Sequence, residues 1–498
     1  MPLIKKGELL IHDDDIPLPV SLFKEDDYSS FGILDIQVDS APLSQQPLFL
    51  LFTIDRTGSM EEVNQNMISK INQVKQTLKN TIRYLTKQDM TIYICVHVFN
   101  DTVTTLINNT LINKETDITE IMQKIDNITA DGLTNIGEAL QSATHRLDDY
   151  VDANPTHQVG HIFMTDGDPT SGIIDNNELS RLVCDKYINT FIGYGNDHNV
   201  GLLRDICKNK NTEYLFVDKT ENTSIVYGEA IHKFLYPAIK NVKIEVTDGY
   251  IYNWNTNEWV TEITESVLVG EVNKIYNIKT VNCNAVCATI YGNYGNSFDS
   301  YGIVDTLYKL PALISPDGNL IQDSNDLSKH SLRQKVMELL FKSTHIVTYA
   351  EELELQIEIK NVFGTINDYI KTHPDENNSF IRTLRDDLSI VYKTIQTVEL
   401  SPHILSRFST QGGQQSYNTT IESETSSCNS AFFEYITPPK LSRHKNHAFD
   451  IDMDNASICA TVDDNDIEQY IQSSETTTPY ATPSMIHTMT ELSQPQSE

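Results

Sequence analysis

Between about residues 47 and 237 the apolar residues fall into short runs separated by longer stretches of mixed polarity. The runs Leu48–Ile54, Thr91–Phe99, Val159–Thr165, Ile188–Tyr194 and Tyr214–Val217 have strand length and little polar interruption. Strands covered on both faces read this way. Between the first two runs, Val63, Met67, Ile71, Val74, Leu78, Ile82 and Leu85 recur at spacings of 4, 4, 3, 4, 4 and 3. That spacing predicts one face of a helix about six turns long. Further helices are expected near 117–127, 135–150, 176–186, 199–209 and 223–236. Strands alternating with helices predict a doubly wound, mostly parallel α/β sheet over 47–237.

From 238 to 312 the period changes to two. Val242, Ile244 and Val246 alternate with Lys and Glu, and Val267–Val269, Ile275–Val281 and Val286–Tyr291 follow across Asn and Gly turns. This predicts a small antiparallel β-sandwich. The N-terminal segment 1–46 offers one strand, Phe31–Val38, that could join it. Residues 328–400 read as helical, with no turn signal from Arg333 to Asn361. Within them Leu353, Leu355, Ile357 and Ile359 alternate as in a strand, but most residue types there favour helix. From 401 to 498 the chain is rich in Ser, Thr, Gln, Asn and Asp, as in Asp463–Asp466 and Ser473–Thr478. A largely disordered polar tail is expected.

A chain of 498 residues has room for several domains. A net charge of −32 argues against nucleic acid as a partner, because phosphate binding needs a basic footprint. No apolar run is long enough to span a bilayer, and the start Met1–Glu8 has no signal-peptide apolar core. The seven cysteines (Cys95, Cys184, Cys207, Cys283, Cys287, Cys428 and Cys459) are scattered and never spaced Cys-x-x-Cys. Neither a disulfide framework nor a zinc ribbon is expected. Together these predict an intracellular, cytoplasmic protein. Fourteen histidines include no His-Glu-x-x-His pair.

Three loops concentrate oxygen ligands. The first run ends in Asp55-Arg56-Thr57-Gly58-Ser59, the second loop is Asp131-Gly132-Leu133-Thr134-Asn135, and the third follows Met164-Thr165 with Asp166-Gly167-Asp168. In a parallel sheet, loops at the carboxyl ends of strands share one edge. Asp55, Thr57, Ser59, Thr134 and Asp166 can therefore converge. Oxygen ligands without His or Cys suit Mg²⁺, Mn²⁺ or Ca²⁺ rather than Zn²⁺.

These motifs resemble a von Willebrand factor A (vWA) domain, a Rossmann-like fold, carrying a metal-ion-dependent adhesion site (MIDAS). That signature is Asp-x-Ser-x-Ser, a distant Thr, then Asp-Gly after a strand; here Thr57 replaces the first Ser and keeps its hydroxyl. The resemblance implies direct ligation by Thr57, Ser59 and sometimes Thr134, with Asp55 and Asp166 acting largely through water. It also implies an open coordination position for an Asp or Glu of a protein partner, and hence a non-enzymatic, metal-dependent adaptor.

The order of vWA domain, sandwich, helices and polar tail is similar to plant RING-type ubiquitin ligases with an internal vWA domain. Leu405–Ser409 and Tyr480–Met485 are similar to that family's carboxyl-terminal region. Those ligases carry a Cys/His zinc RING ahead of the vWA domain, and the first cysteine here, Cys95, lies inside it. No RING can form, so the resemblance implies recognition without ligase catalysis. Strand-Asp55-x-Thr57 also resembles the start of a haloacid-dehalogenase phosphatase, with Asp55 as nucleophile and Mg²⁺ assisting. That family usually has Asp where Thr57 stands. Gly167-Asp168 followed by Asp175 mimics its later acidic motif. A docking component of a larger assembly is a further expectation.

Overall fold

The computed structural model describes residues 4–12, 18–20, 30–63, 67–218, 223–281, 286–294, 308–311, 326–373, 379–395, 400–416, 467 and 478–493. Two strands open the chain, β1 (Ile4–Ile11) and β2 (Ser30–Val38). The α/β unit follows as β3 (Leu48–Asp55), α1 (Lys70–Thr86), β4 (Ile92–Phe99), β5 (Val103–Ile112), α2 (Thr119–Asp126) and α3 (Ile136–Ala153). It continues through β6 (Gln158–Thr165), α4 (Asn176–Ser180), β7 (Ile188–Tyr194), α5 (Val200–Ile206), β8 (Thr212–Val217) and α6 (Thr223–Leu235). Its six strands lie in the order β5-β4-β3-β6-β7-β8. All neighbours are parallel except β4 and β5. The expected doubly wound α/β architecture is the one observed. β3, buried at every position, sits at the centre beside β6. The chain winds outward from β3 in one direction and from β6 in the other. The gap between their carboxyl ends is a topological switch point, where open α/β sheets bind ligands.

The sandwich continues as β9 (Pro237–Thr247), β10 (Gly249–Asn253), β11 (Glu258–Val260), β12 (Glu262–Val269), β13 (Asn273–Thr280), β14 (Cys287–Tyr294) and β15 (Tyr308–Pro311). One sheet has the order β1-β2-β13-β10-β11 and the other β12-β9-β14-β15. Leu34, Ile36 and Ile278 of the first share a core with Ile244, Leu268 and Ile290 of the second. Lys240 Nζ donates to Gln46 Oε1 at 2.5 Å and Gln158 Oε1 at 2.8 Å. Those residues stand at the amino ends of β3 and β6, so the sandwich lies at the sheet edge opposite the switch point.

Four helices follow: α7 (Ser328–Ser343), α8 (Tyr349–Thr372), α9 (Ser379–Thr394) and α10 (Pro402–Gly413). They share a core with β8 and α5, where Leu332, Val336 and Leu405 join Leu203 and Phe216. A last helix, α11 (Pro483–Ser493), packs on α6 and α1.

The structure corrects several expectations. The long helix after β3 begins only at Lys70. Val63 and Met67 stand outside it and are exposed, and Met67 has φ 60°, which no right-handed helix accommodates. The 176–186 helix shrinks to the short α4. β5 was not expected, because its Thr- and Asn-rich sequence forms an antiparallel edge strand with one face in water. β1 was likewise missed. The helical stretch breaks between α7 and α8, where Thr348 and Glu351 form a capping box. The strand-like alternation inside α8 buries Leu355 and Ile359 and leaves Leu353 and Ile357 in solvent.

The tail expectation fails over α10 and α11. Polar composition hides a few well-spaced apolar anchors, Ile404 and Leu405 in α10 and Met485, Met489 and Leu492 in α11. Buried polar groups are paired there: Gln411 Nε2 donates to Asp387 Oδ2 at 2.7 Å and Tyr480 Oη to Gln411 Oε1 at 2.8 Å. Residues 417–477 of the tail, Asp463–Asp466 included, lie outside the described residues apart from Ile467, as do Cys283, Cys428 and Cys459.

Leu492 is buried among α1 and α6 residues. Leu492→Ala is expected to lower the unfolding free energy by about 2–5 kcal/mol, read from urea titrations of the full chain. An unchanged midpoint would show that α11 does not dock. A second expectation concerns pH. Burial holds His97, His161, His198, His232 and His403 down at about 4, and His330 at about 3. Unfolded imidazoles titrate near ~6.5. The unfolded chain therefore binds more protons between about pH 6.5 and 4, and stability falls as pH drops through that window. Burial also raises Asp55 to about 6 and Asp387 to about 7, which works the other way, but the histidines outnumber them. The melting temperature is expected to fall between pH 7 and 5, and a rise would contradict the burial of these rings.

Candidate metal centre

Asp55 is the last residue of β3 and Thr165 the last of β6. The parallel register pairs Ile54 with Met164, which brings the two strand ends together. Asp55 is fully buried. One carboxylate oxygen, Oδ1, accepts the Thr57 N–H at 2.9 Å, and Oδ2 accepts the Thr165 hydroxyl at 2.7 Å. Burial first, and the charge of Asp166 next, push its carboxyl up to about 6.

The chain then turns through a single 3-10 turn, Gly58–Glu61. Thr57 Oγ1 and Ser59 Oγ lie 3.0 Å apart, and the Ser59 hydroxyl donates to Asp166 Oδ1 at 2.8 Å. The second loop is stitched to the first. Gly58 N–H donates to Gly132 O at 3.3 Å, Asp131 N–H to Arg56 O at 2.8 Å, and Arg56 pairs with Asp131 at 2.5 Å. Gly132 adopts φ +80°, a backbone conformation open to glycine. The second and third loops are joined in turn, as Thr170 and Ser171 N–H groups donate to Thr134 O at 2.9 and 3.1 Å. A methyl group on Gly167 would stand 3.7 Å from Ser59 Oγ and 3.9 Å from Thr134 Oγ1. Both hydroxyls thus face one small space, and glycine there keeps it open.

The five residues singled out in the sequence are therefore brought together: Asp55, Thr57, Thr134 and Asp166 buried, Ser59 half-buried. Asp168 is exposed and stands apart as a solvated acid. Among the described residues no group of three or more His, Cys, Asp or Glu side chains could hold a metal. The cluster contains only two carboxylates; its other candidate ligands are hydroxyls. Such a donor set fits a hard cation. The phosphatase alternative gains nothing here, since both oxygens of Asp55 are buried and engaged.

Two residues that contact the cluster were not found in the sequence. Thr165 positions Asp55; a strand-final hydroxyl beside the motif was its only signal. Lys70 was missed entirely. It opens α1, where the helix dipole disfavours a cation, yet its side chain is only 4% exposed. Its Nζ contacts Asp166 Oδ2 at 2.8 Å and Glu62 Oε2 at 2.8 Å. Burial works against the ammonium, but its contacts with Asp166 and Glu62 outweigh that and raise its pKa. Tyr194 is also pushed up, by burial first and by the charges of Asp166 and Asp218 next. His161 serves the core: it meets Thr53 Oγ1 and Asn189 Oδ1, each at 3.0 Å.

Lys70→Met would leave the Asp166 carboxylate buried beside Asp55 without its cation. In metal-free buffer it is expected to lower the unfolding free energy by about 3–5 kcal/mol. Lys70→Met combined with Asp166→Asn should recover much of that loss in urea titrations. Additive losses would mean that the two groups do not form a buried pair.

Comparison with known proteins bears on the fold that carries this cluster. A sequence model described as von Willebrand factor type A domain matches residues 50–228. Human "Inter-alpha-trypsin inhibitor heavy chain H2" is 25% identical over 225 residues, which are 42% of this chain and 23% of that protein. Its counterpart from Mesocricetus auratus is 24% identical over 261 residues, 49% of this chain and 27% of that one. The chain thus spans about a quarter of the length of these curated relatives. Among solved structures, the ArnB paralog VWA2 from Sulfolobus acidocaldarius superposes with a TM-score of 0.50 at 16% identity, covering 82% of this chain and 97% of that one. A von Willebrand factor type A protein from Catenulispora acidiphila gives 0.51 at 10% identity, covering 85% and 98%. At such identities the likeness is one of fold, and it extends beyond the matched segment. Strand order, matched sequence and structural likeness agree that residues 50–228 of this chain form a von Willebrand factor type A domain.

Proposed function

We propose that the chain is a protein-binding adaptor that captures an acidic residue of a partner through a divalent cation. Asp55, Thr57, Ser59, Thr134 and Asp166 would hold the cation, Mg²⁺ in the first place, with Mn²⁺ and Ca²⁺ as alternatives of the same ligand chemistry. The observation that carries this reading is the meeting of three separated loops around two carboxylates and three hydroxyls. Neutral hydroxyls compensate a dication poorly. The Lys70 ammonium is shared between Asp166 and Glu62. A dication held by two carboxylates and three hydroxyls would keep room for an outside oxygen, which a partner carboxylate would supply. When bound, the cation supplies that local charge and a coordination position for an outside oxygen.

The overall charge of −32 gives no long-range attraction for such a partner. Screening within about 8 Å at physiological ionic strength lets the local cation dominate. The reading is of a binding module and not an enzyme. We also place the chain inside a cell: the four described cysteines, Cys95, Cys184, Cys207 and Cys287, are free, as suits a reducing compartment. A role in ubiquitin-pathway recognition rests on the resemblance of Leu405–Ser409 and Tyr480–Met485 alone.

Calorimetry should detect magnesium or manganese uptake by the full chain. Asp55→Ala and Ser59→Ala should each weaken it by about tenfold or more, with the fold verified by circular dichroism. Affinity capture of partners should be lost in EDTA and in Asp55→Ala. Capture that persists in excess EDTA would overturn the reading.

A further inference from the structure

The stretches of chain that build the candidate metal centre also carry large apolar side chains that face water. Val63 (53% exposed), Met67 (79%) and Ile68 (44%) precede α1, Leu133 (52%) precedes Thr134, and Ile174 (66%) follows the Asp166 loop. Single exposed apolar residues are ordinary on protein surfaces, but a concentration of them marks an interaction site. These five come from the same three stretches whose polar groups meet at the centre. Val63 pairs with Ser69, directly before Lys70, and Lys70 touches Asp166. Leu133 is fixed by its N–H to Asp101 Oδ2 at 3.1 Å. The segment leading to Ile174 is held by the Thr170 and Ser171 bonds to Thr134 O.

Met67 carries a second signal. Its φ of 60° is left-handed, and the other non-glycine residues with positive φ among those described are all Asn, Asp, Glu or Gln. An apolar side chain in that conformation is strained, and such strain concentrates at functional sites. Methionine is also the side chain that adapts most readily to an apolar partner.

The charges around the rim limit what can dock. Glu61 and Asp168 are exposed beside the first and third loops. A run of acids approaching the cation would meet both, whereas a lone acid among apolar residues would not. We propose that the partner carboxylate sits on a segment with bulky apolar side chains on both sides, and that Met67, Leu133 and Ile174 receive them. This rests on the metal-dependent reading above and names the partner's chemistry: an isolated Asp or Glu flanked by Leu, Ile, Phe or Met.

Two short fluorescent peptides test it, with the full chain in magnesium buffer. One carries Asp between Leu and Phe, the other the same Asp between Ser and Gly. The apolar-flanked peptide should bind about tenfold or more tightly. Met67→Ser combined with Ile174→Ser should shrink that ratio to below about threefold and leave magnesium uptake by calorimetry unchanged. The apolar-flanked peptide should also slow sulfoxide formation at Met67 under mild peroxide, read by mass spectrometry. Equal, metal-dependent affinity for the two peptides would overturn the apolar rim and leave the metal reading standing. Binding undiminished in EDTA, or by an Asn version of the peptide, would overturn the metal reading itself. A Met67 already shielded without peptide would assign the rim to a second copy or another stretch of this chain, and would also overturn the proposal.

Discussion

Asp55 and Asp166 are both removed from water at the ends of adjacent parallel strands, and most of the local architecture answers that constraint. Two buried carboxylates repel each other, and the rise of the Asp55 carboxyl to about 6 registers that repulsion on top of burial. Thr165, the Thr57 N–H and Ser59 each donate to one of the pair. Lys70 supplies a buried positive charge, at 2.8 Å from Asp166. An ammonium at a helix start works against the dipole; it is tolerable there because the strand switch point has set a carboxylate opposite it. Fold topology and site electrostatics are thus one problem with one solution.

For a dication, two carboxylates and three hydroxyls would be a donor set of low charge. A third carboxylate in place of Thr57 would satisfy a dication internally and leave little reason to recruit an acid from outside. A hydroxyl keeps an oxygen in position without adding charge. The substitution of Thr for Ser in the first loop therefore preserves what matters, an oxygen 3.0 Å from Ser59 Oγ, and adds a methyl group in a buried position.

The parts legible in the sequence were those governed by local period and by motif. Strongly apolar runs gave β3, β4, β6, β7 and β8, because central parallel strands are covered on both faces. Two loops at strand ends and a third that opens α3 gave the five candidate ligands. What escaped was set by tertiary context. β5 has a solvated face and a polar sequence. Val63 and Met67 fit a helical period by spacing, but the backbone at Met67 is left-handed, so residues assigned to a core face stand in water instead. Lys70 has no sequence signature, because its significance depends on a carboxylate that lies far along the chain. The helices α10 and α11 read as tail because a docking helix needs only a few apolar anchors once a surface is waiting for them.

The same helix that delivers Lys70 links the centre to that distant segment. α1 carries Lys70 at its first turn, and farther along its length Asn80 Nδ2 donates to Leu492 O at 3.2 Å and Tyr84 Oη lies 3.3 Å from Thr488 Oγ1. Thr77 meets Thr223 at the start of α6. α1 is thus held from behind by α6 and α11 while its leading residue neutralises Asp166 in front. With the sandwich at the amino ends of β3 and β6 and helices α7 to α10 against β8 and α5, these added elements brace the sheet from the sides and rear. The carboxyl edge, with its buried charges, is the face that these added elements leave uncovered by the sandwich.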